Sequence, residues 1–299
     1  MPIHDLVGER VGGGRYLVES VLGEGARGVL YQAVDRVTGE PVALKALAST
    51  LLAGPVARRR ALTEYRVVAT LRHEHLCKHY DPIDADPNVF LVMELLNGET
   101  LRQRLDRFAV AGRSLDIGSV TQLMAQAATA LAYMRGKGVA HQSVRSDQLF
   151  ITSDGNAKLF NVRVMLTVDE DEFCTQETLW KLHYMSPERL YGQRVRKGDR
   201  GDQYSLGVVF FEALTGRFPR EWPPAGPACP IRDFREDVPD EIARLIARML
   251  ASEPERRFAS MDELANALLS CARNNDRSNA LRAWFSRSWA RLRAGGGPG

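Results

Sequence analysis

The sequence predicts a two-lobed α+β protein, and three observations lead to that. Short β-branched and apolar runs crowd the first 95 or so residues, long amphipathic periods fill the rest, and the character changes after Asn97-Gly98. A chain of 299 residues that is 44% apolar and 26% charged has ordinary globular composition and the length to bury a sizeable core.

The elements follow in order. Residues 1–14 end in Gly12-Gly13-Gly14 and read as a flexible lead-in. YLVESVL, GVLYQAV and PVALKAL, separated by GEGARG and DRVTGE, predict three consecutive antiparallel strands between Tyr16 and Leu47. Residues 55–72 predict a helix with Leu62, Tyr65, Val68 or Ala69 and Leu71 on one face. NVFLVMEL at 88–95 reads as a further buried strand. Past residue 98 come a long amphipathic helix over 119–138 and the apolar pairs QLFI and AKLF joined by the turn SDGN. Helices are predicted at 202–215, 239–250 and 261–272, with a Pro-dense connection at 219–230. The expected organisation is thus a lead-in (1–14), an N-lobe (15–97), a C-lobe (98–272) and a basic tail (273–299).

Composition excludes several classes. A net charge of +3 argues against a general nucleic-acid binder. Cys77, Cys174, Cys229 and Cys271 show no CxxC spacing, which fits free thiols in a reducing compartment. The first residues lack an apolar signal region, and no apolar stretch approaches the roughly 20 residues that span a bilayer. A soluble, cytoplasmic protein is expected.

Between the first two strands lies Gly23-x-Gly25-x-x-Gly28. A dinucleotide site would need a helix after this motif, and a strand follows instead. Lys45 stands on the third strand, seventeen residues past Gly28, and Glu64 sits nineteen further on inside the predicted helix. This ordered series resembles the N-terminal lobe of protein kinases, especially bacterial serine/threonine kinases of the eukaryotic-like type. The resemblance runs to about residue 272: Val92-Met93-Glu94 is similar to the entry into the hinge, Ser186-Pro187-Glu188 to the end of the activation segment, Asp202–Gly207 to the helix anchoring the catalytic loop, and Arg257 to the partner of the segment's glutamate. It implies a protein-kinase-like fold with ATP held by Gly23, Gly25, Gly28, Ala43, Lys45, Glu64, Met93, Glu94, Leu96, Arg145 and Phe150, and with Glu64 paired to Lys45.

The departures are local. His141-Gln142-Ser143-Val144-Arg145-Ser146-Asp147-Gln148 aligns with the family's catalytic loop, and Asn161-Val162-Arg163 with its Asp-Phe-Gly. Ser143 stands where the family has the carboxylate that accepts the substrate's proton, and a serine hydroxyl is no base near neutral pH. Gln148 and Asn161 occupy the two metal-ligand positions with neutral amides, whereas Mg²⁺ favours hard, mostly anionic oxygen. Arg163 replaces a glycine and could fill the nucleotide pocket, as could Phe150. Gln142 replaces the arginine that receives the activation-loop phosphate in many of these kinases, Trp180-Lys181 alters the substrate-docking surface, and the acidic run Asp169–Glu172 reads as a solvated loop.

These departures lead to the expectation of a catalytically inactive relative. It would be a regulatory or protein-interaction module for an unidentified protein partner, with weak ATP binding that needs no Mg²⁺. The alternative is a working serine/threonine kinase, or another nucleotide-dependent transferase, with Asp147, Asp154 or Asp169 supplying the metal site. His73, His75, Cys77 and His79 alternate as strand ligands to zinc would, but the family's sequence at this join accounts for the first of them. In the tail, Leu281, Trp284, Phe285, Trp289 and Leu292 fall at helical spacing among arginines. Residues 281–292 thus suit a peripheral membrane or partner-helix contact, or packing against the chain's own helical lobe.

Overall fold

The computed structural model describes residues 5–25, 27–52, 54–85, 87–162, 180–190, 200–220 and 228–274. The chain forms two compact units, residues 1–104 with 133–182, and residues 105–132 with 183–299.

The first unit is built on a six-stranded antiparallel sheet in the order β1-β2-β3-β4-β6-β5. Its strands are β1 (Arg10–Val11), β2 (Tyr16–Gly25), β3 (Gly28–Asp35), β4 (Pro41–Leu47), β5 (Ile83–Ala85) and β6 (Asn88–Glu94). The three expected strands are β2, β3 and β4. The expected lead-in is corrected from Arg10 onward: Arg10 pairs with Leu17, Val11 pairs with Tyr16, and Leu6 is buried. The apolar Leu6 and Val11 explain this, since burying each removes hydrophobic surface from water.

Alternation along β4 and β6 sorts the core. Val42, Leu44 and Ala46 join Phe90 and Val92 in one apolar cluster with Tyr31 and Leu6. Ala43 and Leu47 join Leu91 and Met93 in the other, against Ala61 and Leu62 of helix α1 (Gly54–Ala69). With a side-chain period of two, Lys45 is carried on the same face as Ala43 and Leu47, toward α1. Helix α1 ends at Ala69, three residues before the sequence suggested. The amides of Thr70 and Leu71 bond to Val67 and Val68 in a tightened last turn, and Leu71 is buried beyond the helix.

A second, three-stranded sheet has the order β7-β8-β9, from β7 (Gly98–Thr100), β8 (Leu149–Thr152) and β9 (Ala157–Leu159). The last two are the expected apolar pairs, and the turn between them is closed by Thr152, Asp154 and Asn156. Helix α2 (Leu101–Val110) was not foreseen; its Leu101 and Leu105 make the i, i+4 apolar pair that could have revealed it. Helix α3 spans Ile117–Gly136.

In the second unit, helix α4 (Gly201–Thr215) is buried from Gly201 to Leu214 and α5 (Asp240–Met249) is amphipathic. A further helix runs over 261–274. A Cβ at Gly207 would lie 2.8 Å from the Met249 Cβ, so the glycine lets these helices cross closely. Arg257 is fully enclosed and uses all five N–H donors. Two meet Glu188 at 2.7 and 2.8 Å; the others go to the carbonyls of Ala251, Arg200 and Ser252. Burial alone would raise the Glu188 pKa, but the Arg257 hydrogen bonds and charge outweigh it and hold the carboxyl below its ordinary value. Residues 281–292, Arg163, Cys174 and the acidic run at 169–172 lie outside the described residues.

Candidate active site

Four segments of the first unit supply the candidate site: the β2–β3 hairpin, β4, the loop at 141–148 and the residues after β9. The hairpin closes with Gly25 opposite Gly28. Gly28 has φ +124°, and a Cβ there would stand 1.9 Å from the Ala46 carbonyl oxygen, so this position admits only glycine. A Cβ on Gly23 or Gly25 would meet nothing within 4 Å. Those two glycines are therefore not required by the hairpin, and their open side leaves room for close approach by another group.

Lys45 pairs in register with Leu30 and Leu91, and its Nζ donates to Asn161 Oδ1 at 3.3 Å. The lysine partner implied by the resemblance is corrected here. Glu64 Oε1 accepts from Arg60 Nε at 2.8 Å, and Glu64 Oε2 is buried with no hydrogen-bond partner among the described residues. The reason is local: Arg60 lies one helical turn before Glu64, where an i, i+4 ion pair forms at little cost in ordering.

Ala43, Met93 and Leu96 contribute to one apolar cluster, together with Phe160. Glu94 Oε1 accepts from the Lys78 amide and from Lys158 Nζ, both at 2.7 Å, which ties the end of β6 to β9. Phe150 stands edge-on to Phe160, ring centroids 6.1 Å apart. His75 Nδ1 meets the Ala157 carbonyl and His79 Nδ1 the Cys77 carbonyl, so both rings are engaged with backbone.

The loop at 141–148 is organised around Arg145. Its Nη1 donates to Ser143 Oγ at 2.6 Å, while Nε and Nη2 grip the Asp147 carboxylate at 2.8 and 3.1 Å. Its guanidinium also lies 6.0 Å from the Trp180 ring, which Arg102 approaches at 5.6 Å. Sequence reading assigned Arg145 to phosphate contact and missed this clamp; the i, i+2 spacing of Arg145 and Asp147 was the available signal. Gln148 is 7% exposed, and its Oε1 has no hydrogen-bond partner among the described residues. The Phe160 amide donates to the Gln148 carbonyl at 3.2 Å, which brings the 148 and 161 segments side by side.

Two non-glycine residues here have left-handed backbone, Gln142 at φ +60° and Asn161 at φ +54°. Such conformations cost about 1–3 kcal/mol for most residues, less for asparagine, and gather where function over-determines the backbone.

The Lys45 ammonium, with open space beside Gly23 and Gly25, fits a nucleotide's phosphates. Mg²⁺ fits less well at 148 and 161. Both side chains are neutral amides, and Asn161 Oδ1 already accepts from Lys45. Asp147 is the loop's only carboxylate and is held by Arg145. Asp154 is spent on the β8–β9 turn, and Asp169 lies outside the described residues.

A sheet-built unit carrying a glycine hairpin and a strand lysine, followed by a mainly helical unit, is the arrangement of the protein-kinase fold. The sequence model for the protein kinase domain matches residues 16–269, and the chain belongs to that family. It is 31% identical over 290 residues to the serine/threonine-protein kinase PknH of Mycobacterium bovis, covering 92% of this chain and 47% of that protein. It is 26% identical to PrkC of Bacillus subtilis, covering 93% and 43%. The chain thus spans less than half the length of these two relatives. The solved kinase domain of Mycobacterium tuberculosis PknI superposes with a TM-score of 0.70 at 27% identity, covering 87% of this chain and 97% of that one.

These findings correct the expectation of a catalytically inactive module. The family match covers most of the chain, and the relatives are named as serine/threonine kinases, so the alternative reading, a working kinase, is the better supported. Among the described residues no helix is long and apolar enough to cross a membrane.

Proposed function

We propose that this chain is a serine/threonine protein kinase that transfers phosphate through a non-standard loop. The observation that carries this is the Arg145 clamp, which fixes a carboxylate, Asp147, beside the Ser143 hydroxyl. In this reading Gly23, Gly25 and Gly28 cover the phosphates, and Ala43, Met93, Leu96 and Phe150 surround the adenine, with backbone groups near Glu94. Lys45 offsets the phosphate charge. The substrate hydroxyl oxygen attacks the γ-phosphorus, the bond to the β-phosphate oxygen breaks, ADP leaves, and the hydroxyl proton passes to Asp147. Such proton transfer is worth about 10²–10⁴-fold in rate. ATP binding itself is proposed to need no Mg²⁺, because neutral amides stand at 148 and 161.

Mass spectrometry after incubation with ATP, on the chain itself and on added casein, tests this. Phosphate on serine or threonine is expected, lost in Lys45→Ala and reduced about 10²–10⁴-fold in Asp147→Asn. An absence of Lys45-dependent product, with and without Mg²⁺, would overturn the assignment. Unchanged product in Asp147→Asn would overturn the role of that carboxylate. The basic stretch 281–292 is proposed as a peripheral contact of a cytoplasmic protein, which deletion of 273–299 and a vesicle-binding assay would check.

A further inference from the structure

The second unit carries a cavity of about 660 Å³, bounded by α5 and by the segments at 228–232 and 250–256. That is the size of a ligand site rather than a packing defect. Its floor is aliphatic, with Ile246 and Leu250 buried beneath it, and the small Ala243 and Ala247 leave it open.

Charge distinguishes this groove from a plain apolar cleft. Among the described residues four arginines line it against two carboxylates, Asp240 and Glu253. Arg232 pairs with Asp240 at 2.7 Å, and Arg256 faces Glu253 at 3.6 Å. Arg244 has no ion pair among the described residues. Arg220 is only 8% exposed: its Nη2 donates to the Leu250 carbonyl and to Ser252 Oγ, but its Nε is buried with no hydrogen-bond partner among the described residues. A buried guanidinium N–H left unmatched forfeits its hydration without replacement, a loss that an incoming acceptor would recover.

We propose that this groove docks an acidic peptide segment of a partner protein. A carboxylate of that segment is received by Arg220 Nε and Arg244, and a neighbouring aliphatic side chain lies on Ile246 and Leu250. Among the described residues the wall has no aromatic side chain on which a nucleobase could stack, while its arginines match carboxylate acceptors. Asp240 and Glu253 leave two unmatched positive charges, a balance suited to carboxylates. The site is independent of the phosphoryl-transfer reading, since every lining residue belongs to the second unit.

Fluorescence anisotropy with a fluorescein-labelled peptide Glu-Glu-Leu-Glu-Glu-Leu and its glutamine counterpart, titrated with the full chain, tests the proposal. The acidic peptide is expected to bind at least about tenfold more tightly than the neutral one, and to weaken as salt shortens the screening length. Arg244→Glu and Ala247→Trp, both at exposed positions, should each weaken it about tenfold with the melting temperature unchanged. Arg220→Met should do the same where it folds. Equal binding of the neutral peptide, no binding of either, or full affinity in both exposed variants would overturn the proposal.

Discussion

Lys45 Nζ donates to Asn161 Oδ1 at 3.3 Å, while the carboxylate expected to hold this lysine, Glu64, is bound by Arg60. The lysine is thus positioned from the metal-ligand segment, and the helix glutamate faces its own helix. Asn161→Asp places a full negative charge beside the ammonium without changing side-chain length, and aspartate tolerates left-handed backbone nearly as well as asparagine. In thermal-shift assays the variant should gain an ATP stabilisation that depends on Mg²⁺, about tenfold in apparent affinity. The native chain should show an ATP shift that does not change when Mg²⁺ is chelated.

The three motif glycines should separate into structural and functional ones. Gly28→Ala drives a Cβ against the Ala46 carbonyl at a positive φ and should lower stability by about 1–3 kcal/mol, read by urea denaturation. Gly23→Ala and Gly25→Ala meet open space and should leave the unfolding midpoint within about 0.5 kcal/mol of native. If they cover phosphates, ATP affinity should fall in both. Stability and binding then respond to different members of one motif.

Much of this architecture was legible in the sequence. The apolar run NVFLVMEL read as a buried strand, and β6 buries both faces, Phe90 and Val92 in one cluster and Leu91 and Met93 in the other. Glu188 and Arg257 were matched across 69 residues through the resemblance to the family, and they do meet. What the sequence could not give were choices between equally spaced partners. Glu64 has Arg60 one turn away and Lys45 on a neighbouring strand, and only the packed geometry selects the former. Asp147 stood as one of three candidate aspartates, because a one-dimensional alignment cannot show that Arg145 turns back to hold it. The lead-in was missed for a related reason: two-residue β1 is too short to show a period.

Glu188 and Arg257 should dominate the stability of the second unit. Arg257→Met leaves a half-buried carboxylate without its partner and should cost about 3–5 kcal/mol, and Glu188→Gln strands the enclosed guanidinium at similar cost. The double variant should recover a large part of either loss, because the penalty is the uncompensated charge and not the missing attraction. Chemical denaturation of all four proteins gives the coupling energy directly. A coupling near zero would mean that the carbonyls of Ala251, Arg200 and Ser252 alone satisfy the arginine.

Arg15 and Asp35 offer a pH signature in the first unit. Hydrogen bonds from Arg15 hold the Asp35 carboxyl down at about 2, against a backdrop of burial that would raise it. The Val37 amide adds a further donor at 3.0 Å. A folded-state pKa below the unfolded value of about 3.9 means that the unfolded chain binds the proton more readily. The contribution is therefore complete above about pH 4 and is lost as pH falls through about 2. Two pH units of depression correspond to about 2.6 kcal/mol at most. Arg15 is 47% exposed, so solvent screening reduces the expected effect to about 1 kcal/mol. Asp35→Asn should flatten the stability profile between about pH 4 and pH 2 by that amount while leaving the profile at higher pH parallel to the native one. Because Asp35 ends β3 and Arg15 precedes β2, the same variant should raise amide exchange at the hydrogen bond from the Arg36 amide to the Arg15 carbonyl, which closes that end of the hairpin.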